Sequence, residues 1–300
     1  MNLAPFRTLV AVSDHGSFAA AAEQLHVTPA AVSQQMKTLE EELQVALFDR
    51  STRPPRLNAH GVFVAGQARD VLRRFEALID AARAPDEIAG RLMLGCISGI
   101  SSDLVPAALR NLRERYPGLQ VRMAEGQSGD LVRRLLRHEL DAAIITEPVV
   151  PEPELEMLLI TTEPLLVIAP AGASAGSWLE AVRTLPFLRF NRTSGLGILI
   201  DTSLRRAGVA VREAMELDSS EALLNMVHAG LGVGVIPEGQ LKGEAGAKVR
   251  RFPFCDPPVS RRVVLAEHLD AQRSDLSQVL YLELKRLTAE RGSAISTEGK

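Results

Sequence analysis

The stretch SFAAAAEQLHVTPAAVSQQMKTLEEEL, Ser17 to Leu43, constrains the fold more than any other part of this chain. It holds two helical patterns separated by His26-Val27-Thr28. Phe18, Ala21, Ala22 and Leu25 recur at helical spacing behind Ser17, a residue type that caps helix N-termini. Thr28-Pro29 repeats the signal: a capping residue, then a proline at the first helical position, where its missing N–H removes no intrahelical bond. Val32, Met36, Leu39 and Leu43 then fall at i, i+4, i+7 and i+11, one narrow stripe at about 100° per residue, expected to face the core. By the same arithmetic Ala30, Ser33, Gln34 and Lys37 face outward.

Two short helices joined by a tight turn, the second with small and amide side chains outward near its start, fit a helix-turn-helix entering the major groove of double-stranded DNA. Gln pairs bidentately with adenine, Lys reaches guanine or phosphate, Ser serves several bases, and Ala touches a thymine methyl. Thr28 and Pro29 open this reading helix. A merely solvated helix face is the alternative. A net charge of −3 gives bulk electrostatics no part in DNA binding, so positive charge must be local. LFDRSTRPPRLNAHG supplies it, with Arg50, Arg53 and Arg56 around Pro54-Pro55 between short apolar pieces, as in a β-ribbon or wing. Such arginines grip phosphates or enter a minor groove. For Arg50, pairing with Asp49 or Glu40 is the other reading.

On these two segments residues 1–61 resemble the winged helix-turn-helix of LysR-type transcriptional regulators. There are departures: Gln44 stands where the family usually has glycine, Ala46 where proline is common, and Asn58 where threonine is usual. Asn caps a helix as well as Thr does. Gln in a left-handed turn would be strained, so a different local turn is expected at Gln44.

From Asn58 to about Arg83 one long helix is expected, with Val64, Ala68, Val71, Leu72, Phe75, Leu78, Ile79 and Ala82 at three- and four-residue steps. Such a helix needs a partner. Pairing between subunits suits it, packing on its own domain is the alternative, and the resemblance implies a linker helix through which a homodimer, or a homotetramer, forms. APDEIAG, residues 84–90, reads as a linker.

Downstream, strands and helices alternate from RLMLGCI through LDAAIIT, and again from PLLVIAP to about residue 267, before a last helix from Ala271 to Glu290. Alternation of this kind predicts βαβ crossovers and a mostly parallel sheet. GRLMLGCISG and SSEALLNMVHAGLGVGVIPE resemble the effector-binding domain of the same family, whose fold is that of periplasmic binding proteins. The expected fold class is therefore an N-terminal all-α winged helix-turn-helix with a long linker helix, followed by an α/β two-lobed effector domain. The divisions are a head at 1–60, a linker at 61–89 and an effector domain at 90–292. Lobe I takes 90–160 and 269–292, lobe II takes 161–268, and 293–300 is a disordered tail. The resemblance implies crossings between lobes near Leu155–Thr162 and Glu267–Ala271.

In open α/β sheets ligands sit beyond the strand ends, where helix N-termini offer N–H groups to anions. The loops so placed carry Ser98, Gly99, Ser101 and Ser102, then Gln127 and Ser128, Thr146 and Glu147, Asn191 and Arg192, and Asp218. Hydroxyls at Ser98–Ser102 suit a carboxylate or phosphate, and the family places its effector there; plain capping by Ser101 or Ser102 is the alternative. Arg192 offers a bidentate clamp to an acid, and Glu147 meets either a ligand amine or solvent. An amino acid or another small acid, generally an anion, is the expected effector.

An enzyme is not expected. The six histidines are scattered, no metal or nucleophile spacing appears, and GLGVGVIPEG runs from helix to strand, the reverse of a dinucleotide fingerprint. No cofactor is expected. Cys96 and Cys255 match no metal or CxxC spacing and read as buried free thiols, with a redox switch the weaker reading. No window reaches the ~18 apolar residues of a membrane span, and Met1–Thr8 has no signal-like run, so a cytoplasmic, non-membrane protein is expected.

Overall fold

In the computed structural model, which describes residues 3–51, 54–83, 88–102, 104–241, 243–269 and 275–298, the head is three helices and a small ribbon. These are α1 (Ala4–His15), α2 (Phe18–Leu25), α3 (Pro29–Leu43), β1 (Phe48–Asp49) and β2 (Arg56–Leu57). Ser17 and Thr28 cap α2 and α3 by accepting from the N–H groups of Ala20 and Ala31 at 3.2 and 3.1 Å. Leu9, Val12, Ala21, Val32, Met36, Leu39, Leu47 and Phe48 form one core, and each large apolar side chain so buried contributes roughly 1.5–3 kcal/mol. Leu43 departs from the expected stripe: it is 40% exposed, because it ends α3 just where the chain turns away.

The expectation of a different turn at Gln44 is corrected. Gln44 takes the left-handed conformation at φ 54°, ψ 31°, the C-cap geometry that glycine would adopt at no steric cost. Its neighbourhood outweighs the strain, since Glu40 Oε1 accepts from the N–H groups of Leu47 and Phe48 at 2.7 and 3.2 Å and fixes the following chain. Asn58 caps the next helix as expected: its Oδ1 accepts from Gly61 N at 2.8 Å while its Nδ2 donates to Ala46 O at 2.8 Å. Gly61 cannot carry a side chain, because a Cβ there would stand 2.1 Å from the Leu47 carbonyl oxygen.

The long helix α4 (Ala59–Arg83) packs Ala65 and Ala68 on the head. Val64 packs there too, whereas Phe63, Val71, Phe75 and Leu78 are open, at 67%, 37%, 41% and 65% exposed. The same helix touches the first lobe. Arg69 donates to the carbonyl of Arg137 at 3.3 Å and pairs with Asp14 of the head, while Arg73 pairs with Asp141. Residues 84–87 of the expected linker, and the side chain of Ala82, lie outside the described residues.

The first lobe contains β3 (Gly90–Cys96), α5 (Ser98–Ser101), α6 (Leu104–Arg115), β4 (Leu119–Glu125), α7 (Ser128–Leu136) and β5 (Ala142–Thr146). The long β6 (Leu155–Pro170) leads into the second, built of α8 (Trp178–Thr184), β7 (Phe187–Phe190), α9 (Gly195–Arg206), β8 (Glu213–Leu217), α10 (Ser220–His228), β9 (Gly234–Pro237), α11 (Gly243–Ala247) and β10 (Val249–Pro253). The chain returns by β11 (Ser260–His268) and ends in α12 (Asp275–Glu298). β3 pairs in parallel with β4 and β5, and β7 with β8, whereas β6 and β11 run antiparallel to their neighbours.

Two boundaries are corrected by this pairing. β11 lies between β5 and β6, and Val263–Ala266 belong to the core of the first lobe, so the return crossing falls near Val259–Arg262 and not after His268. Outward, β6 pairs with β11 up to Pro164 and with β9 and β10 from Leu165 on. Pro164, which has no N–H to give a ladder, sits at that hand-over. The tail is also corrected: α12 runs to Glu298, since a helix anchored by buried Leu280 and Leu284 elongates at little cost. Residues 271–274, expected to open it, lie outside the described residues.

Replacing Gln44 with glycine should stabilise the head by about 0.5–1 kcal/mol by removing the left-handed strain, whereas Asn58→Ala should cost about 1–2 kcal/mol. Chemical denaturation followed by circular dichroism checks both; destabilisation by Gln44→Gly would show that the side chain, not the turn, matters.

Candidate nucleic-acid interface and effector cleft

The buried stripe of Val32, Met36 and Leu39 fixes the rotation of α3, and Thr28, Pro29, Ala30, Ser33, Gln34 and Lys37 are all exposed on its far side. Lys37 makes only an exposed contact with Glu41 at 3.7 Å, of the kind that contributes little. Beside this face the β1–β2 ribbon places Arg56 in solvent. Arg53 lies outside the described residues. Arg50 takes the alternative reading: its Nη2 pairs with Glu40 Oε2 at 2.7 Å, so it braces the ribbon against α3. Asp49 is held below the usual carboxylate range by hydrogen bonds from the Ser51 side chain and backbone. The exposed strip therefore offers amide, hydroxyl and methyl groups flanked by Lys37 and Arg56.

A cavity of about 300 Å³ opens between the two lobes. Of the loop residues singled out in the sequence, Ser98, Gly99, Ser101, Ser102, Gln127, Ser128, Thr146 and Asp218 line it. Its walls are tied across the lobes. Thr193 Oγ1 donates to Gln127 Oε1 at 3.2 Å, and Gln240 Nε2 donates to the carbonyl of Gly99 at 2.9 Å. A Cβ on Gly195 would stand 2.9 Å from Ser128 Oγ, so the start of α9 presses on the first lobe only because that position is bare. Ser128 Oγ is itself held, accepting from Thr146 N at 3.2 Å.

Three expected effector contacts are corrected. Arg192 does not face the cavity: Nε binds Glu216 at 3.0 Å and Nη2 binds Glu213 at 2.7 Å, and the hydrogen bond to Glu216 raises its pKa further. Glu147 pairs with Arg262 rather than a ligand. Asn191 does not line the cavity; it donates to Asp218 and accepts from Thr193. Ser101 and Ser102 turn back to the Ser98 carbonyl, at 2.9 and 3.2 Å, instead of capping α6, and the single Ser101 hydroxyl proton is shared between that carbonyl and Glu125.

What the sequence reading missed is Arg261, which lines the cavity yet is 4% exposed. Its Nε donates to Glu163 at 2.6 Å, from a residue 98 positions away, which no local pattern reveals. Glu125, Phe190, Glu221 and Gln240 also reach the wall. The one available signal for Arg261 was a basic pair, Arg261-Arg262, directly ahead of the apolar run Val263–Ala266.

Comparison with known proteins identifies both parts of the chain. Residues 3–62 match the model for bacterial regulatory helix-turn-helix proteins of the lysR family, and residues 85–288 match the LysR substrate binding domain. The regulator IlvR of Caulobacter vibrioides is 30% identical over 98% of this chain and 99% of its own. A probable hydrogen peroxide-inducible genes activator of Streptomyces viridosporus is 30% identical over 91% of this chain and 90% of its own. Among solved structures, a full-length OxyR variant from Pseudomonas aeruginosa is 26% identical with a TM-score of 0.71, covering 95% of this chain and 98% of that one. Full-length CbnR in complex with its target DNA, at 21% identity and a TM-score of 0.60 over 95% of this chain and 99% of that one, shares the fold. A DNA-reading head matched along 3–62, an effector domain matched along 85–288 and a full-length relative at 30% identity make this chain a member of the LysR family of DNA-binding transcriptional regulators.

Proposed function

We propose that this regulator reads its operator with Ser33, Gln34 and Lys37 of α3, with Thr28, Pro29 and Ala30 at the helix start, and holds the backbone with Arg56 and Arg53. The single observation that carries this is the outward face of α3, polar and uncovered, opposite a fully buried stripe. Two such heads occupy half-sites about 34–36 Å apart, or a multiple of that, on one face of the duplex. The pairing surface is the open side of α4, where Phe63, Phe75 and Leu78 stand exposed, and a second α4 laid along it would remove that apolar area from water. Its place of work is the cytoplasm, where the DNA is. Among the described residues no helix is long and apolar enough to cross a membrane.

The inter-lobe cavity receives a small effector bearing an acid group, set against helix N-termini and the serines of α5. Its state reaches the head along a short path. β5 ends at Thr146 in the cavity wall, and it begins after Asp141, whose carboxylate accepts from Met93 N at 2.7 Å and pairs with Arg73 of α4. A ligand that prefers one arrangement of the lobes therefore biases the orientation of α4 by its differential affinity.

Peroxide sensing, suggested by the names of some relatives, is opposed by the thiols of this chain. Cys96 is fully buried, and burial together with the nearby Glu125 carboxylate pushes its pKa to about 12. Burial raises the Cys255 thiol as well. At neutral pH both remain protonated, and the thiolate is the nucleophile.

Combined Ser33→Ala and Gln34→Ala substitution should relax sequence preference in a selection from random DNA, by about 1–3 kcal/mol per lost bidentate contact. Arg56→Ala should weaken all sequences alike and lower the salt slope by about 1. Unchanged preference in the double variant would refute the assignment of α3. In the folded protein at pH 7.5 neither thiol should react with Ellman's reagent until denaturant is added; a rapid native equivalent would restore the redox reading.

A further inference from the structure

Arg261 opens β11 at the point where the chain returns to the first lobe, so its guanidinium stands between the lobes. Nε is engaged by Glu163, but Nη2 is shut off from solvent and has no hydrogen-bond acceptor. A buried donor without an acceptor is costly, and a buried charge more so. The cavity is the direction from which an acceptor can arrive. Gly99 and Gln240 line it as well, and a Cβ on Gly99 would stand 3.4 Å from Gln240 Nε2 and 3.7 Å from Nη2, so Nη2 lies within contact distance of the wall that these two residues form. The starts of α7, α9 and α10 contribute Ser128, Gly195 and Ser220 to the same wall and add their positive ends. An anionic group of the ligand therefore belongs at Arg261.

The remainder of the wall has the opposite sign. Among the described residues Glu125, Asp218 and Glu221 line the cavity, and Glu163 already shares the charge of Arg261. Ser101 and Asn191 donate to Glu125 and Asp218 without cancelling their charge. Among the described residues negative groups prevail even with three helix starts, so a dicarboxylate would meet repulsion once its first carboxylate was seated, and a monocarboxylate would leave these groups without a counter-charge. A volume of about 300 Å³ is at the low end for ligand clefts, which leaves room for a molecule of roughly ten heavy atoms.

Building on the reading of this cleft as the effector site, we infer that the effector is a zwitterion of the α-amino-acid class, its carboxylate on Arg261 Nη2 and its ammonium among the carboxylates headed by Glu125. The glutamate thereby acts as a filter, admitting acids that carry their own cation and excluding those that do not.

Calorimetric titration of the full-length chain tests this with the protein amino acids and, for each, the 2-hydroxy acid, the deaminated acid and the decarboxylated amine. The expected result is that one or a few amino acids bind, and that removing either the ammonium or the carboxylate weakens binding at least tenfold. Glu125→Gln should narrow the gap between amino acid and 2-hydroxy acid while leaving the requirement for a carboxylate. Arg261→Gln should abolish binding of both acids, and because it leaves the half-buried Glu163 without this partner, Arg261→Gln with Glu163→Gln serves as the folded control. A 2-hydroxy or deaminated acid that binds as tightly as its amino acid overturns the zwitterion while the small-acid reading stands. Binding of none of these, or of the amines alone, overturns both.

Discussion

The burial of Val32, Met36 and Leu39 against Leu9, Val12 and the short α2 is the interaction on which the rest depends. A helix laid on a core by a three-residue stripe has one rotational setting, and that setting decides which side chains are left for a partner. Here it leaves Ser33, Gln34 and Lys37, none of which is required by the head itself. Glu40 extends the control to the ribbon: one oxygen collects two backbone N–H groups and the other holds Arg50. Helix and wing are thus positioned as one piece, and the energy for it comes from core packing and charge-assisted hydrogen bonds rather than from the exposed face of α3.

A comparable economy operates in the effector domain. β6 runs from the first lobe into the second and β11 starts beside it at the crossing, so the lobes are joined through paired strands, and the cavity reaches Arg261 next to the point where β6 exchanges its neighbours. Arg261 and Glu163 face each other on these two strands at that place. A ligand that engages Arg261 touches the hinge of the two lobes directly. On the other side of the first lobe, Asp141 holds Arg73, and between the cavity and that pair runs only β5, five buried residues spanning about 16 Å at ~3.3 Å each. Packed interiors transmit small shifts because they cannot absorb them.

Much of this was legible in the sequence, and the misses share a cause. Periodicity and capping located α2, α3 and α4 and the outward face, because these depend on neighbours within a few residues. Strand-helix alternation located the effector domain and eight of the cavity residues. Ion pairing was not legible: Arg192 and Glu147 looked available because their partners, Glu216 and Arg262, lie 24 and 115 residues away. Arg261 was overlooked for the same reason, as a strand arginine with a distant carboxylate. At Gln44 the local rule was sound and lost to context, since the contacts gathered by Glu40 outweigh a strain of about 1 kcal/mol. The strand read as PLLVIAP began only at Pro164, which in the folded chain marks a change of partner within β6 rather than a start.

The central claim is that the uncovered face of α3 lies in the major groove, and a cleavage probe tests it most directly. With Cys96 buried and Cys255 nearly so, a cysteine introduced by Gln34→Cys is the reactive thiol to which an iron chelate attaches. On DNA selected by the protein, the account predicts two cleavage clusters centred in major grooves and separated by one helical turn or a whole number of turns. Cleavage absent from the bound DNA, or confined to a minor groove, would contradict it.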